Sequence, residues 1–121
     1  MLYIEDNEVN ALLVQELLAN RPAVQLEVAV NGVTGVQRAR ALQPDLILVD
    51  MLLPDIDGHA VLRALQADPR TAHIRCVALS ANATPDDQQA ARAAGFVDYW
   101  TKPIRFDQFL RDLGALLGRT L

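Results

Sequence analysis

Short apolar runs and longer amphipathic stretches alternate five times along the chain. The runs predict strands over residues 2–5, 26–30, 46–49, 74–79 and 96–99, and the stretches predict helices over 8–20, 33–42, 58–67, 85–94 and 106–117. In the first helix Asn10, Leu13, Val14, Leu17 and Leu18 recur at i, i+3, i+4, i+7 and i+8, the spacing of one helical face. The last helix repeats it with Phe106, Phe109, Leu110, Leu113 and Leu117. Thr84, Pro85 and Asp87 form a helix-start signature, and Gly95 is placed to close that helix. Strands and helices alternating at this length predict a parallel sheet with helices on both faces. Right-handed crossovers leave few topologies. No linker, low-complexity tract or further repeat interrupts the pattern. The chain enters its first strand almost at once, which suggests a minimal protein or a segment of a longer one.

Composition narrows this picture only a little. The 121 residues suffice for one domain with a core, and 51% apolar and 21% charged residues are ordinary for a globular protein. A net charge of −4 with no basic stripe argues against direct contact with nucleic acid. Cys76 is the single cysteine, lies in an apolar run, and reads as inert packing in a reducing, cytoplasmic setting. No apolar run approaches a membrane span, and acids appear too early for a signal peptide. His59 and His73 read as surface histidines.

The chemistry lies at the ends of the apolar runs. Asp50 ends the run Leu46-Ile47-Leu48-Val49, Glu5 and Asp6 end the first run, and Lys102 follows the last. A parallel sheet gathers the carboxyl ends of its strands on one edge, where open α/β sheets bind ligands. Three carboxylates held together repel unless protons or a cation intervene. A hard divalent ion with oxygen ligands relieves that repulsion, and magnesium suits few carboxylates plus phosphate oxygens. Any one acid could cap a helix, yet capping gives no reason for three to converge. Ser80, at the end of the fourth run, can donate to a phosphoryl oxygen. Together the set points to a metal-dependent phosphoryl-accepting site.

These residues resemble the receiver domain of two-component response regulators. The pieces are Tyr3-Ile4-Glu5-Asp6-Asn7, Val49-Asp50-Met51-Leu52-Leu53-Pro54, Asp57-Gly58, Ala78-Leu79-Ser80-Ala81 and Asp98-Tyr99-Trp100-Thr101-Lys102-Pro103-Ile104. They occur in order over essentially the whole chain, so 1–121 reads as one receiver domain without an output domain. Glu5-Asp6-Asn7, with Val9 and Asn10, looks most like receivers attached to hybrid sensor histidine kinases. The resemblance implies a flavodoxin-like (βα)5 sandwich with strand order 2-1-3-4-5. It implies Asp50 as phosphoacceptor, and Mg2+ held by Glu5, Asp6, Asp50 and the backbone carbonyl of Leu52. Lys102 would contact the phosphoryl group, Ser80 would be the switch hydroxyl and Tyr99 the switch aromatic. The lysine–proline bond is a candidate for the cis form. The donor would be a histidine kinase or histidine phosphotransfer domain, with phosphorylation-dependent dimerisation as a further expectation. Val9, Leu12 and Trp100 are the candidate docking residues.

Two positions depart from the family pattern. Ser80 replaces a threonine but keeps the hydroxyl. Leu52, two residues after Asp50, has no polar group to orient an attacking water, which predicts slow self-dephosphorylation. The domain is expected to be a phosphoacceptor switch and not an enzyme with an external substrate. An aspartyl phosphatase or phosphotransferase usually needs a second acid where Leu52 stands. A flavin carrier needs a phosphate loop, and Glu5-Asp6-Asn7-Glu8 has the wrong charge. A pseudo-receiver acting only as an interaction module is the remaining alternative, and the complete acid, hydroxyl and lysine set argues against it.

Overall fold

The computed structural model describes residues 1–82 and 84–121. Its elements run β1 (Leu2–Ile4), α1 (Glu8–Leu18), β2 (Glu27–Ala29), α2 (Gly32–Leu42), β3 (Leu46–Asp50), α3 (Gly58–Gln66), β4 (Arg75–Ser80), α4 (Pro85–Ala94), β5 (Asp98–Thr101) and α5 (Phe106–Leu117). All strand pairs are parallel, in the order β2-β1-β3-β4-β5. The expected topology is therefore observed.

Successive residues of a strand face opposite sides, and the core divides accordingly. Ile47 and Val49 of β3 pack with Leu2, Ile4, Val36, Val61 and Leu65 beneath α2 and α3. Leu46 and Leu48 pack with Tyr3, Val14, Leu79, Trp100, Phe109 and Leu113 beneath α1 and α5. Each such side chain taken fully out of water contributes about 2 kcal/mol. Cys76 is buried and free, as expected, and burial pushes its thiol up to about 12. His73 is exposed, whereas His59 is half-buried with its ring edge on Phe96 at 6.0 Å.

Local chemistry sets the helix starts. Asn7, Asn31, Asp57 and Thr84 cap α1, α2, α3 and α4, each side chain accepting a backbone N–H. The Thr84 hydroxyl also donates to the Asp87 carboxylate at 2.6 Å. Gly95 closes α4 at φ 123°, a conformation open to glycine.

Several expectations need correction. The fifth strand begins at Asp98 and not at Phe96, because the ladder to β4 pairs Val77 with Asp98. An aspartate is tolerated there because its carboxylate is satisfied. It accepts from the Tyr99 amide, the Trp100 indole and the Arg92 guanidinium at 2.8, 3.0 and 3.0 Å. Phe106 leaves the apolar stripe of α5: it occupies the first helical position and is exposed, while Phe109 and Leu113 carry the packing. Trp100 is a core residue and not an open docking surface. It is 8% exposed and meets Phe109 edge to face at 5.6 Å, a favourable aromatic arrangement.

Candidate functional site

The alternation that sorts the core also sorts the site. Asp50 continues the phase of Leu46 and Leu48, Glu5 that of Tyr3, and Lys102 that of Trp100. All three therefore rise at the carboxyl edge on the α1–α5 side. Ser80 continues the phase of Cys76 and Ala78, and Tyr99 packs against that same cluster. Acids and lysine thus stand on one side of the sheet, hydroxyl and aromatic on the other, with Asp50 and Ser80 on neighbouring strands.

Asp50 is 4% exposed, and both its oxygens are engaged. Oδ1 accepts from the Leu52 amide at 3.1 Å and Oδ2 from Lys102 Nζ at 3.0 Å. Lys102 Nζ also donates to Glu5 Oε1 at 3.0 Å. Burial disfavours the lysine charge, but its bonds to Glu5 and Asp50 prevail and hold its pKa above the ordinary lysine value. The Lys102 amide donates to the Ser80 carbonyl at 2.9 Å, and the following Pro103 bond is cis. The Ser80 hydroxyl accepts from the Asn82 amide at 3.1 Å.

Glu5 is the most constrained acid. It is 1% exposed. Its Oε1 accepts from Asn10 Nδ2 at 2.8 Å and from the Tyr3 hydroxyl at 3.2 Å besides Lys102. Its Oε2 is buried with no hydrogen-bond partner among the described residues. Burial, reinforced by the neighbouring Asp50, pushes the Glu5 carboxyl up to about 7. Asp6 is exposed beside it. Because Asn7 is the cap of α1, Asp6 is not consumed in capping.

Glu5, Asp6 and Asp50 each offer an oxygen, and these oxygens lie within 4.8 Å of one another. A buried carboxylate with one oxygen lacking a donor among the described residues, grouped with two further acids, fits a hard divalent cation. The cleft above them has a volume of about 650 Å³, and its walls include Asp6, Asp50, Leu52, Ser80, Asn82 and Lys102. Most residues singled out from the sequence therefore meet at one cleft. Tyr99 stands at its far side, half-buried, its hydroxyl donating to the Asn82 carbonyl. Val9 and Leu12 are 74% and 56% exposed on α1. Sequence reasoning placed Asn10 on an apolar stripe and passed over its bond to Glu5. The available signal was a polar residue at a periodic core position.

The response regulator receiver domain model matches residues 1–113 of this chain. The chain belongs to the response regulator receiver family. The receiver is 32% identical over 118 residues to the polar-differentiation response regulator DivK of Brucella anthropi, spanning 98% of this chain and 95% of DivK. It is 41% identical over 92 residues to the DNA-binding transcriptional regulator RpaA of Synechocystis, spanning 76% of this chain but 38% of that protein. Among solved structures it resembles the receiver domain of the sensor histidine kinase PA1611 from Pseudomonas aeruginosa, at a TM-score of 0.85 and 30% identity. That match covers 97% of this chain and 95% of the other, whose active-site cleft coordinates a magnesium ion. The chemotaxis protein CheY4 of Vibrio cholerae shares the fold, with a TM-score of 0.86 at 20% identity. The receiver is thus a component of two-component phosphorelay signalling. Among its described residues no helix is long and apolar enough to cross a membrane.

Proposed function

We propose that this receiver accepts a phosphoryl group on Asp50 from a phosphohistidine of a histidine kinase or histidine phosphotransfer domain. The observation that carries the reading is the single site at which Lys102 bridges Glu5 and Asp50 while a buried Glu5 oxygen lacks a partner among the described residues. Glu5, Asp6, Asp50 and the Leu52 carbonyl would hold magnesium. Bound there, the ion supplies positive charge to the phosphoryl oxygens.

An Asp50 carboxylate oxygen attacks phosphorus in line. The new P–O bond forms as the P–N bond to histidine breaks, and the electron pair returns to the imidazole nitrogen. Lys102 moves from pairing with Asp50 to pairing with the phosphoryl oxygens, where charge spreads in the transition state. The Ser80 hydroxyl, which accepts from the Asn82 amide, donates to a phosphoryl oxygen. Its movement pulls the segment that carries Asn82 and alters the support of the Tyr99 hydroxyl, biasing the face of α4, β5 and α5 between two arrangements. The domain changes its own state and has no external substrate. Exposed Val9 and Leu12 on α1 would dock the phosphohistidine partner, in the cytoplasm. The similarity to a sensor-kinase receiver supports a second context, a receiver segment within a hybrid kinase.

Intact mass after incubation with acetyl phosphate tests the reading. One phosphoryl group gained only with magnesium, and lost in Asp50→Asn, is expected. No gain under any condition overturns it in favour of an interaction module.

A further inference from the structure

Helix α2 is completed by a residue outside it. A helix start leaves N–H groups without intrahelical partners. In α2 the Thr34 amide is taken by the cap, Asn31 Oδ1, at 2.8 Å. The two preceding amides go elsewhere. Gly32 N–H donates to Asp55 Oδ1 and Val33 N–H to Asp55 Oδ2, both at 2.8 Å. Asp55 lies in the 51–57 loop that joins Asp50 to α3. A second contact reinforces the junction: Ile56 packs so tightly against Gly32 that a Cβ there would stand 2.4 Å from Ile56 Cγ1.

Met51 and Leu53, on either side of Leu52, pack against the core, but the polar anchors of the loop are few among the described residues. Met51 N–H donates to the Leu79 carbonyl at 3.0 Å and Gly58 N–H to the Met51 carbonyl at 3.2 Å. Among the described residues Leu52 N–H reaches only Asp50 itself. The Leu52 side chain is 84% exposed and holds nothing in place. Between Leu52 and Asp57, polar attachment to the rest of the fold among the described residues therefore runs through Asp55. Magnesium demands near-ideal octahedral geometry, so a backbone ligand on a loop held mainly by non-directional apolar packing would serve it less well than one also clamped by hydrogen bonds.

We propose that Asp55 is a positioning residue: by clamping the 51–57 loop to the start of α2, it holds the Leu52 carbonyl in place for the cation at the Glu5–Asp6–Asp50 cluster. The inference rests on the cation-site reading above. Coupling of this kind is reciprocal. Cation binding should therefore slow hydrogen exchange at the Gly32 and Val33 amides, and act less on Thr34, which Asn31 holds.

Magnesium titration of the full chain, followed by amide chemical shifts at the cleft and by hydrogen exchange, tests this. Asp55→Ala is expected to raise the half-saturating magnesium concentration about ten-fold, the low end for loss of an outer-shell partner. It should also remove the response of the Gly32 and Val33 amides. Asp55→Asn, which keeps one acceptor, should fall between and serves if the alanine variant does not fold. Asn31→Ala weakens the same helix start without touching the loop and should leave magnesium affinity within about two-fold of the parent. Unchanged affinity in both Asp55 variants, or equal losses in the Asp55 and Asn31 variants, overturns the inference. Absence of magnesium binding in the parent protein would instead overturn the cation-site reading itself.

Discussion

The ammonium of Lys102 lies 3.0 Å from an oxygen of Asp50, a residue 52 positions earlier in the chain. The contact exists because β4 separates β3 from β5 and supplies the carbonyl that fixes the Lys102 backbone. Replacing Lys102 by methionine keeps the stem and removes the charge proposed to meet the phosphoryl group. Phosphorylation by acetyl phosphate at saturating magnesium should slow about 100-fold, as when one donor to a transition-state oxygen is removed. Initial rates by intact mass check this, and a rate within about three-fold of the parent would exclude the assigned role.

The raised Glu5 carboxyl makes stability depend on pH in the cation-free protein. An unfolded glutamate titrates near 4.5 and the folded Glu5 near 7. Between these values the folded state binds the extra proton, so stability falls as pH rises and the loss is complete above about 7. The expected loss is about 2–3 kcal/mol between pH 4.5 and 8. Urea melts in EDTA measure it. Glu5→Gln should flatten the profile over this window, and magnesium should restore stability at pH 8 by favouring the carboxylate.

Exposure separates Val9 and Leu12 from Trp100. A Val9→Ala/Leu12→Ala pair should leave thermal stability nearly unchanged and slow phosphotransfer from a histidine phosphotransfer domain, while acetyl phosphate still reacts normally. Trp100→Ala should cost about 3 kcal/mol through the cavity left against Phe109. Denaturation curves together with transfer rates from the protein donor decide this. Equal stability losses in the two variants would refute the distinction.

Leu52 is 84% exposed at the mouth of the cleft and offers no hydrogen bond to water from its side chain. An amide at this position can orient a water toward the phosphoryl group. Leu52→Asn should shorten the phospho-form lifetime roughly ten-fold, well below the contribution of a true general base. Loss of the added mass with time checks it.

The alternation of strands and helices, the Thr84 cap of α4 and the acid cluster were legible because each leaves a local mark: an apolar run, a capping residue, a charge at a strand end. The strand order came from the family resemblance. What escaped depends on partners distant in sequence. The apolar run puts the start of β5 two residues early because Phe96 and Val97 continue it, and only the ladder to β4 shows that Asp98, bonded to Arg92 and the Trp100 indole, is its first residue. Trp100 could be read as a partner contact or as packing because large aromatics at a strand end can face either way, and the alternation turned it toward Phe109. Asn10 sat on an apolar stripe because periodicity does not register that Glu5, five residues earlier, needs a donor. Asp55 drew no attention in the sequence, and its bonds to the Gly32 and Val33 amides emerge only where α2 comes back beside the loop.

The acids and the lysine come from three strands that meet only in the finished sheet. A nascent or damaged chain in which β1 has not yet joined β3 therefore holds Glu5 apart from Asp50, and one in which β5 has not yet joined β4 brings no lysine to either. Receptivity to the signal is in this way itself a test of completed folding, and a misassembled copy stays silent instead of sending a false message.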